Sequence, residues 1–201
     1  MRGPPCAFAL AVALTVSGCG GGDGKSESSG EKGDPSASPT TAYFVRADTD
    51  AINAAAVQAQ KTGAQAQAAK AQAACNKAGN RGYRQWRTCW HNLLGPFKTS
   101  LTGLATELAT LAERDFSEDC VTSLEAAGAA FTGFADEVDA LLAGIDSKRR
   151  TTQVRALKVY GATLGEISKS FAEPFQGVTQ VCYSPKDLAS ITASPSPSPD
   201  S

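Results

Sequence analysis

The sequence of 201 residues contains a single histidine, His91. This excludes metal sites and catalytic mechanisms that require two or more histidines. Metal sites inside helical bundles use Glu-x-x-His pairs, and the sequence has none. A catalytic triad would have to use His91, but no serine or cysteine motif accompanies it. Cys89-Trp90-His91 lacks the earlier cysteine of a haem-attachment motif. We therefore expect a non-enzymatic protein without cofactor or metal.

The sequence also lacks a charge of dominant sign, because 19 basic residues face 20 acidic ones. A net charge near zero gives no general attraction to nucleic acid, so no nucleic-acid partner is expected. The closely spaced acids Asp136, Glu137 and Asp139 point around a helix rather than toward one another. They are interpreted as a solvated face and not as a catalytic carboxylate pair.

No apolar run is long enough to cross a bilayer, which takes roughly 20 residues. The run from Ala7 to Val16 is shorter, follows a single charge at Arg2 and precedes the small residues Ser17-Gly18. This pattern is typical of the apolar region of a signal peptide, followed here by Cys19. An ordinary secretory signal with a chance cysteine is the alternative interpretation.

The segment Val16-Ser17-Gly18-Cys19 resembles the lipobox of bacterial lipoproteins. The resemblance implies that residues 1–18 are removed and that Cys19 becomes a mature N-terminus carrying diacylglycerol and an acyl chain such as palmitate. Two or more chains anchor a protein stably. The protein would then face the extracytoplasmic side of the cell membrane. Gly20 stands where the usual inner-membrane retention residue, Asp, would be, so outer-membrane sorting stays open in a two-membrane cell. In a one-membrane cell the protein would face outward from the plasma membrane.

Composition divides the remaining chain into three parts. The lipidated Cys19 and residues 20–41 contain no large apolar side chain, which predicts a disordered tether for 19–41 with a reach of about 25 Å. Residues 42–187 are enough for one domain with a single core. The stretch 188–201 ends in alternating Ser and Pro and is predicted to be a disordered tail.

Residues 42–78 are rich in Ala and Gln without proline, which predicts the first of four helices. A stripe of alanines buries little surface, so this helix should be the least firmly packed. The pair Gly79-Asn80, with Gly82, should end it. The expected inner positions are Ile52, Ala55, Ala59, Ala66, Ala69 and Ala73.

The other three helices show apolar residues at coiled-coil spacing. The second covers 83–114 with Pro96 as a kink, the third begins after the cap Ser117, and the fourth begins after Thr151 or Thr152. Pro174 should bend the fourth helix. Their expected buried stripes are Leu94, Phe97, Leu101, Leu104, Leu108 and Leu111; Leu124, Phe131, Phe134, Val138, Leu141 and Ile145; and Val154, Leu157, Leu164, Ile167, Phe171, Phe175 and Val178.

Short connections between these helices predict an all-α, antiparallel, up-down-up-down four-helix bundle. With Cys6 and Cys19 set aside, an even number of cysteines remains, which in an exported chain indicates two disulfides. Cysteine spacing alone allows three pairings, but only one joins cysteines at the same end of such a bundle. The predicted disulfides are Cys75–Cys89 at the membrane-distal end and Cys120–Cys182 at the proximal end.

The predicted bundle collects charge of opposite sign at its two ends. At the proximal end lie Glu113, Asp115, Glu118, Asp119, Glu125 and Glu173. Complementation of helix dipoles and solubility are the plain explanation. The functional hypothesis is a distal cationic surface that binds an anionic envelope polymer or protein. Its candidate residues are Lys77, Arg81, Arg84, Arg87, Lys148, Arg149, Arg150, Arg155 and Lys158.

Three further hypotheses concern smaller groups of residues. Tyr83, Trp86 and Trp90 share one helical face, either as an exposed aromatic patch or as cover for the core. A zinc site is an alternative to the distal disulfide and would use its two cysteines, His91 and a fourth ligand. A carrier of an apolar or aromatic ligand is the alternative function, with its cavity between kinked helices. That cavity would be lined by Phe97, Phe171 and Phe175.

Overall fold

The computed structural model describes residues 42–192, and this part of the chain is all-α with no β-strand. The predicted all-α class is thus confirmed. The predicted signal peptide, the lipobox with Cys19, the tether and the tail after residue 192 lie outside the described residues. The described helices are α1 (Arg46–Gln67), α2 (Ala69–Ala78), α3 (Tyr83–Ala112), α4 (Glu118–Asp146), α5 (Arg150–Ser170), α6 (Glu173–Cys182) and α7 (Pro185–Thr192), with a 3₁₀ turn at Gly79–Arg81.

The first predicted helix is divided in two at Ala68, whose backbone is extended with ψ 116°. Two hydrogen bonds connect this break to α5. The Tyr160 hydroxyl of α5 donates to the Ala66 carbonyl at 2.6 Å. In the other direction, the Gln67 side chain donates through Nε2 to the Leu164 carbonyl at 3.1 Å. Burial raises the pKa of Tyr160 well above its ordinary value, which keeps the hydroxyl protonated as a donor.

This break changes which alanines face the core. Ile52, Ala59 and Ala66 are buried as predicted. Ala69 and Ala73 are exposed, so this part of the predicted stripe is wrong. The extended residue between α1 and α2 resets the helical phase, and Cys75 becomes the buried residue of α2.

Helix α3 begins and continues much as the sequence predicts. Gly82 adopts φ 122°, a left-handed value that suits glycine, and separates the 3₁₀ turn from α3. The helix runs without interruption through Pro96, so this proline does not divide it. Every member of the predicted leucine-rich stripe is buried, and each such side chain contributes about 1.5–3 kcal/mol. These residues are Leu94, Phe97, Leu101, Leu104, Leu108 and Leu111.

Helix α4 begins at the predicted cap, since the Ser117 hydroxyl accepts from the Cys120 N–H at 3.3 Å. Its predicted stripe is buried apart from Phe134, which is half-buried. The predicted cap of the next helix is wrong. Helix α5 begins at Arg150, ahead of Thr151, because Arg149 is the cap residue and its N–H donates to the Ser147 hydroxyl at 3.1 Å.

The fourth predicted helix is divided into α5 and α6, with Pro174 in the first turn of α6. A proline suits this position because the first N–H groups of a helix need no partner within it. Leu164, Ile167, Phe171 and Val178 are buried as predicted. Val154 is 57% exposed, which contradicts its predicted burial. Tyr160 takes an inner position instead.

Neighbouring helices run antiparallel and share one core. The start of α3 lies beside the end of α4, where the Tyr83 hydroxyl donates to the Ile145 carbonyl. Helix α1 packs against α3, with Phe97 close to Gly63, and α5 and α6 pack against α4. Phe131 of α4 lies at the centre of the core. Within the described range, no helix combines the length and the apolarity that crossing a bilayer requires.

Both predicted disulfides are present. Cys75–Cys89 joins α2 to α3 with a Cα–Cα distance of 5.2 Å, and Cys120–Cys182 joins α4 to α6 with 5.0 Å. Each bridge therefore joins helix ends that already lie together. Helix α7 follows the second bridge and continues past residue 187, so the helical part of the chain extends beyond the predicted domain end.

Candidate functional site

The candidate site lies where the start of α3 meets the end of α4. The Tyr83 hydroxyl donates to the Ile145 carbonyl at 3.2 Å. One turn further along α3, Arg87 Nε forms a salt bridge with Asp146 Oδ1, and His91 Nε2 contacts the same oxygen at 2.7 Å. A single carboxylate oxygen therefore joins two side chains of α3 to the last residue of α4.

The environment of Asp146 favours its charged form. The hydrogen bond from Arg87 is the largest effect and holds the pKa of Asp146 below its usual value. Burial is the next largest and acts to raise the pKa, and the weaker contact with His91 acts to lower it. The same hydrogen bond raises the pKa of Arg87. The contact of Asp146 with Arg87 could not be predicted from the sequence. The two residues are 59 positions apart and meet only because α3 packs on α4.

The predicted cations gather around this junction, and we call them the basic end. The last turn of α2, the 3₁₀ turn and the start of α3 supply one group, and the α4–α5 connection with the start of α5 supplies the other. Arg87 is neutralised by Asp146, whereas the rest form no ion pair with the described residues. These unpaired and exposed cations are Lys77, Arg81, Arg84, Lys148, Arg149, Arg150, Arg155 and Lys158.

The structure divides the predicted aromatic patch between the core and the surface. Trp90 is only 2% exposed and packs edge-on against Tyr160, with ring centroids 5.0 Å apart, so it covers the core. Tyr83 is 46% exposed, Trp86 is half-buried, and the two rings stack with centroids 5.8 Å apart. Only this pair belongs to the surface of the basic end.

The zinc alternative at this end is contradicted by the covalent structure. Cys75 and Cys89 are joined to one another, and His91 contacts Asp146. Over residues 42–192, no three side chains of the ligating types come together. The disulfide instead holds α2, and with it Lys77, against α3.

The cavity predicted for a carrier is filled by the phenylalanines themselves. Phe171 and Phe175 pack around Phe131, each with ring centroids 5.1 Å from it. Phe97 lies against Gly63 on the α1 side. The described residues do form an open groove of about 590 Å³ between α1 and α3, near Ala55 and Pro96, but none of the predicted phenylalanines lines it.

The opposite end carries the predicted acids, and we call it the acidic end. These are Glu113, Asp115, Glu118, Asp119, Glu125 and Glu173, all exposed. Next to them Asp48, only 4% exposed, accepts from the Val45 N–H at 3.0 Å and pairs with Arg114. Phe44 N–H donates to the Cys182 carbonyl at 2.9 Å, so the described chain enters the domain at this end.

No protein-family model matches the chain, and comparisons with curated proteins and with solved structures found no match. Chemically, the basic end offers unpaired cations and two partly exposed rings on rigid helices. Such an arrangement can bind an anionic group through charge-assisted hydrogen bonds. The shared oxygen of Asp146 serves to join helices there.

Proposed function

We propose that this protein is a lipid-anchored module of the bacterial cell envelope, without enzymatic activity, that binds an anionic envelope polymer through the basic end. The observation that carries the proposal is the set of cations left unpaired at one end of a chain whose total charge is near zero. Unpaired cations of like sign repel one another, which lowers the stability of the free protein. An anionic partner would relieve this repulsion.

The predicted four-helix bundle is part of this proposal. Its four rods would be α1 with α2, α3, α4, and α5 with α6, running up and down in turn. The antiparallel contacts of α3 with α4 and the two disulfides support this arrangement. In such a bundle the basic and acidic ends are separated by the length of α3, about 45 Å.

The lipobox-like segment supplies the proposed address. With diacylglycerol on Cys19, the tether would connect the membrane to Phe44, which lies at the acidic end beside Cys182. The basic end would then point away from the bilayer. Mass spectrometry of protein purified from membranes should show the acyl modification, and Cys19→Ala should release the protein from the membrane fraction.

Charge reversal in the α4–α5 connection tests the binding proposal. Arg149→Glu with Arg150→Glu changes the net charge by −4 and should abolish salt-sensitive binding to isolated envelope polymer, because both side chains are exposed and unpaired. Lys61→Glu with Lys70→Glu makes the same change of charge at two exposed lysines that are unpaired among the described residues and are not members of the basic end. This control should keep most of the binding.

The two double variants separate local from global charge. Equal loss in both would show that only net charge matters, and unchanged binding after reversal at Arg149 and Arg150 would refute a role for this surface. Circular dichroism should show the same helical content in all the proteins, because these side chains lie outside the core.

A further inference from the structure

The aromatic pair of the basic end is exposed although large rings usually avoid water. Tyr83 is 46% exposed and stacks on Trp86 with an angle of 30° between the ring planes. The hydroxyl of Tyr83 is fixed by its bond to the Ile145 carbonyl. This pair is therefore held in place while part of its apolar surface remains open.

Trp86 is held in place from the side of the 3₁₀ turn. A Cβ atom added at Gly79 would lie 3.2 Å from Trp86 Cδ1, so the indole lies directly against the glycine backbone. The Cys75–Cys89 disulfide joins α2 to α3 on either side of this turn. A ring that is already immobile loses little entropy when a ligand stacks on it.

Two arginines lie near the rings in the chain. Arg84 follows Tyr83 and lies about 100° around α3 from it, and Arg81 lies in the preceding turn. Both are exposed and without an ion pair among the described residues. The planar guanidinium group binds carboxylates in a bidentate manner, which lysine cannot do. The start of α3 and the turn before it therefore carry two partly exposed rings and two exposed guanidinium groups on the same end of the domain.

We propose that Tyr83, Trp86, Arg81 and Arg84 form a binding site for an acidic polysaccharide whose pyranose rings carry carboxylates. The C–H groups on one face of a pyranose are slightly positive and pack against the negative face of an aromatic ring. The carboxylates reach the arginines. This inference rests on the proposed function and names the chemistry of its polymer.

The rings favour a sugar polymer over an acidic protein segment. Aspartate and glutamate side chains would satisfy the arginines and leave the two aromatic faces exposed. A polymer of uronic acid supplies an apolar ring face and a carboxylate in every unit, so successive units of one chain can meet the rings and the arginines. Charge and ring stacking then act on the same ligand.

Binding to three probes of matched charge, together with one neutral probe, tests the inference. They are polygalacturonate, polyglutamate, oligo(dT) and neutral dextran, each titrated against the whole protein by calorimetry. Polygalacturonate should bind about tenfold more tightly than polyglutamate, an advantage that corresponds to stacking on one ring pair. Neutral dextran should bind far more weakly than either.

Aromatic substitutions identify the surface involved. Trp86→Ala should remove the preference for polygalacturonate and leave polyglutamate binding unchanged. Tyr43→Ala removes an aromatic ring of similar exposure, 39%, near the acidic end and is the matched control. The chain has only two tryptophans, and Trp90 is buried. Polygalacturonate should therefore change the tryptophan fluorescence of the wild-type protein, whereas the fluorescence of the Trp86→Phe variant should stay the same.

The outcomes separate this inference from the proposed function. Equal affinity for polygalacturonate and polyglutamate, unaffected by Trp86→Ala, would overturn the stacking site and leave a purely electrostatic surface. Tightest binding to oligo(dT) would overturn the sugar ligand in favour of a nucleic acid. Failure to bind any of the anionic probes would refute the proposed function as well.

Discussion

Each end of the domain carries a disulfide, a group of aromatic rings and an aspartate that joins two elements. At the acidic end the disulfide and the aspartate are buried, and the rings are buried or half-buried. Cys120 and Cys182 are inaccessible, and Phe44 packs against Phe116 and Tyr183 with ring centroids 5.3 Å away in both cases. This end therefore fixes the beginning and end of the folded chain against each other.

At the basic end the corresponding residues are more exposed to solvent. Cys89 is half-buried, Tyr83 is exposed, and Asp146 keeps about a third of its side chain accessible. Within residues 42–192, the cations around them have no carboxylate partner except at Arg87. The comparison indicates that the acidic end serves stability, whereas the basic end gives up stabilising contacts and retains groups suited to binding.

Removing each disulfide is the strongest test of this contrast. In the loop-entropy description, Cys120–Cys182, with a sequence separation of 62, contributes about 4 kcal/mol, and Cys75–Cys89, with 14, contributes about 3 kcal/mol. Paired Cys→Ala variants should lower the free energy of unfolding in urea in that order. A larger loss from the basic-end pair would contradict the division of roles.

The buried Asp48 of the acidic end should contribute more to the free energy of unfolding than an exposed aspartate does. Asp48→Ala removes the partner of Arg114 and leaves the Val45 N–H without an acceptor, which should cost about 2 kcal/mol in urea unfolding. Asp50→Ala is the control, because the Arg46–Asp50 pair is exposed, and it should stay within about 0.5 kcal/mol of wild type. Equal losses of unfolding free energy in the two variants would contradict a larger contribution from the buried Asp48.

The α3 and α4 stripes and the disulfides could be predicted because the information is local and repeated. Leu101, Leu104 and Leu108 recur at helical spacing, and no competing pattern exists for them. Cysteine pairing then followed from which helix ends meet. Signals of this kind survive packing, since every residue of the stripe supports the same orientation.

The missed features depend on contacts between distant segments. Nothing around Ala68 distinguishes it from other alanines, and the break there is stabilised by Tyr160 and Gln67 reaching across to or from α5. Asp146 could not be matched with Arg87 before the packing of α3 on α4 was known. Likewise, spacing placed Trp86 and Trp90 on one face, but only the position of α5 decides that Trp90 is buried.

The cations of α5 are positioned at the basic end by a close contact between α4 and α5. Gly144 lies against α5, where an added Cβ would be 2.6 Å from Ala156 Cβ, so Gly144→Ala should cost about 1–2 kcal/mol in urea unfolding. A Cβ atom added at Gly133 on the same helix would meet no atom of a neighbouring element within 4 Å. Gly133→Ala should therefore stabilise the protein by about 0.5–1 kcal/mol. A loss of similar size at both positions would contradict this tight approach of α5 to α4.

The smallest expected effect concerns Asp146, and its sign depends on pH. Because the pKa of Asp146 is lowered in the folded protein, ionised Asp146 stabilises the fold at pH values above its unfolded pKa of about 4. That contribution is lost as the pH falls through the lower folded pKa. Asp146→Asn should therefore be less stable than wild type at pH 6, and the difference should shrink toward pH 2.

Urea unfolding of wild type and Asp146→Asn at several pH values measures this difference directly. The subtraction removes the contributions of other carboxylates, which both proteins share. Arg87 and His91 meet the same oxygen of Asp146, so the variant also loses the link between α3 and α4 at the basic end. A difference that grows on acidification would mean that Asp146 binds its proton more tightly in the folded protein, and the proposed role of the Arg87 contact would fail.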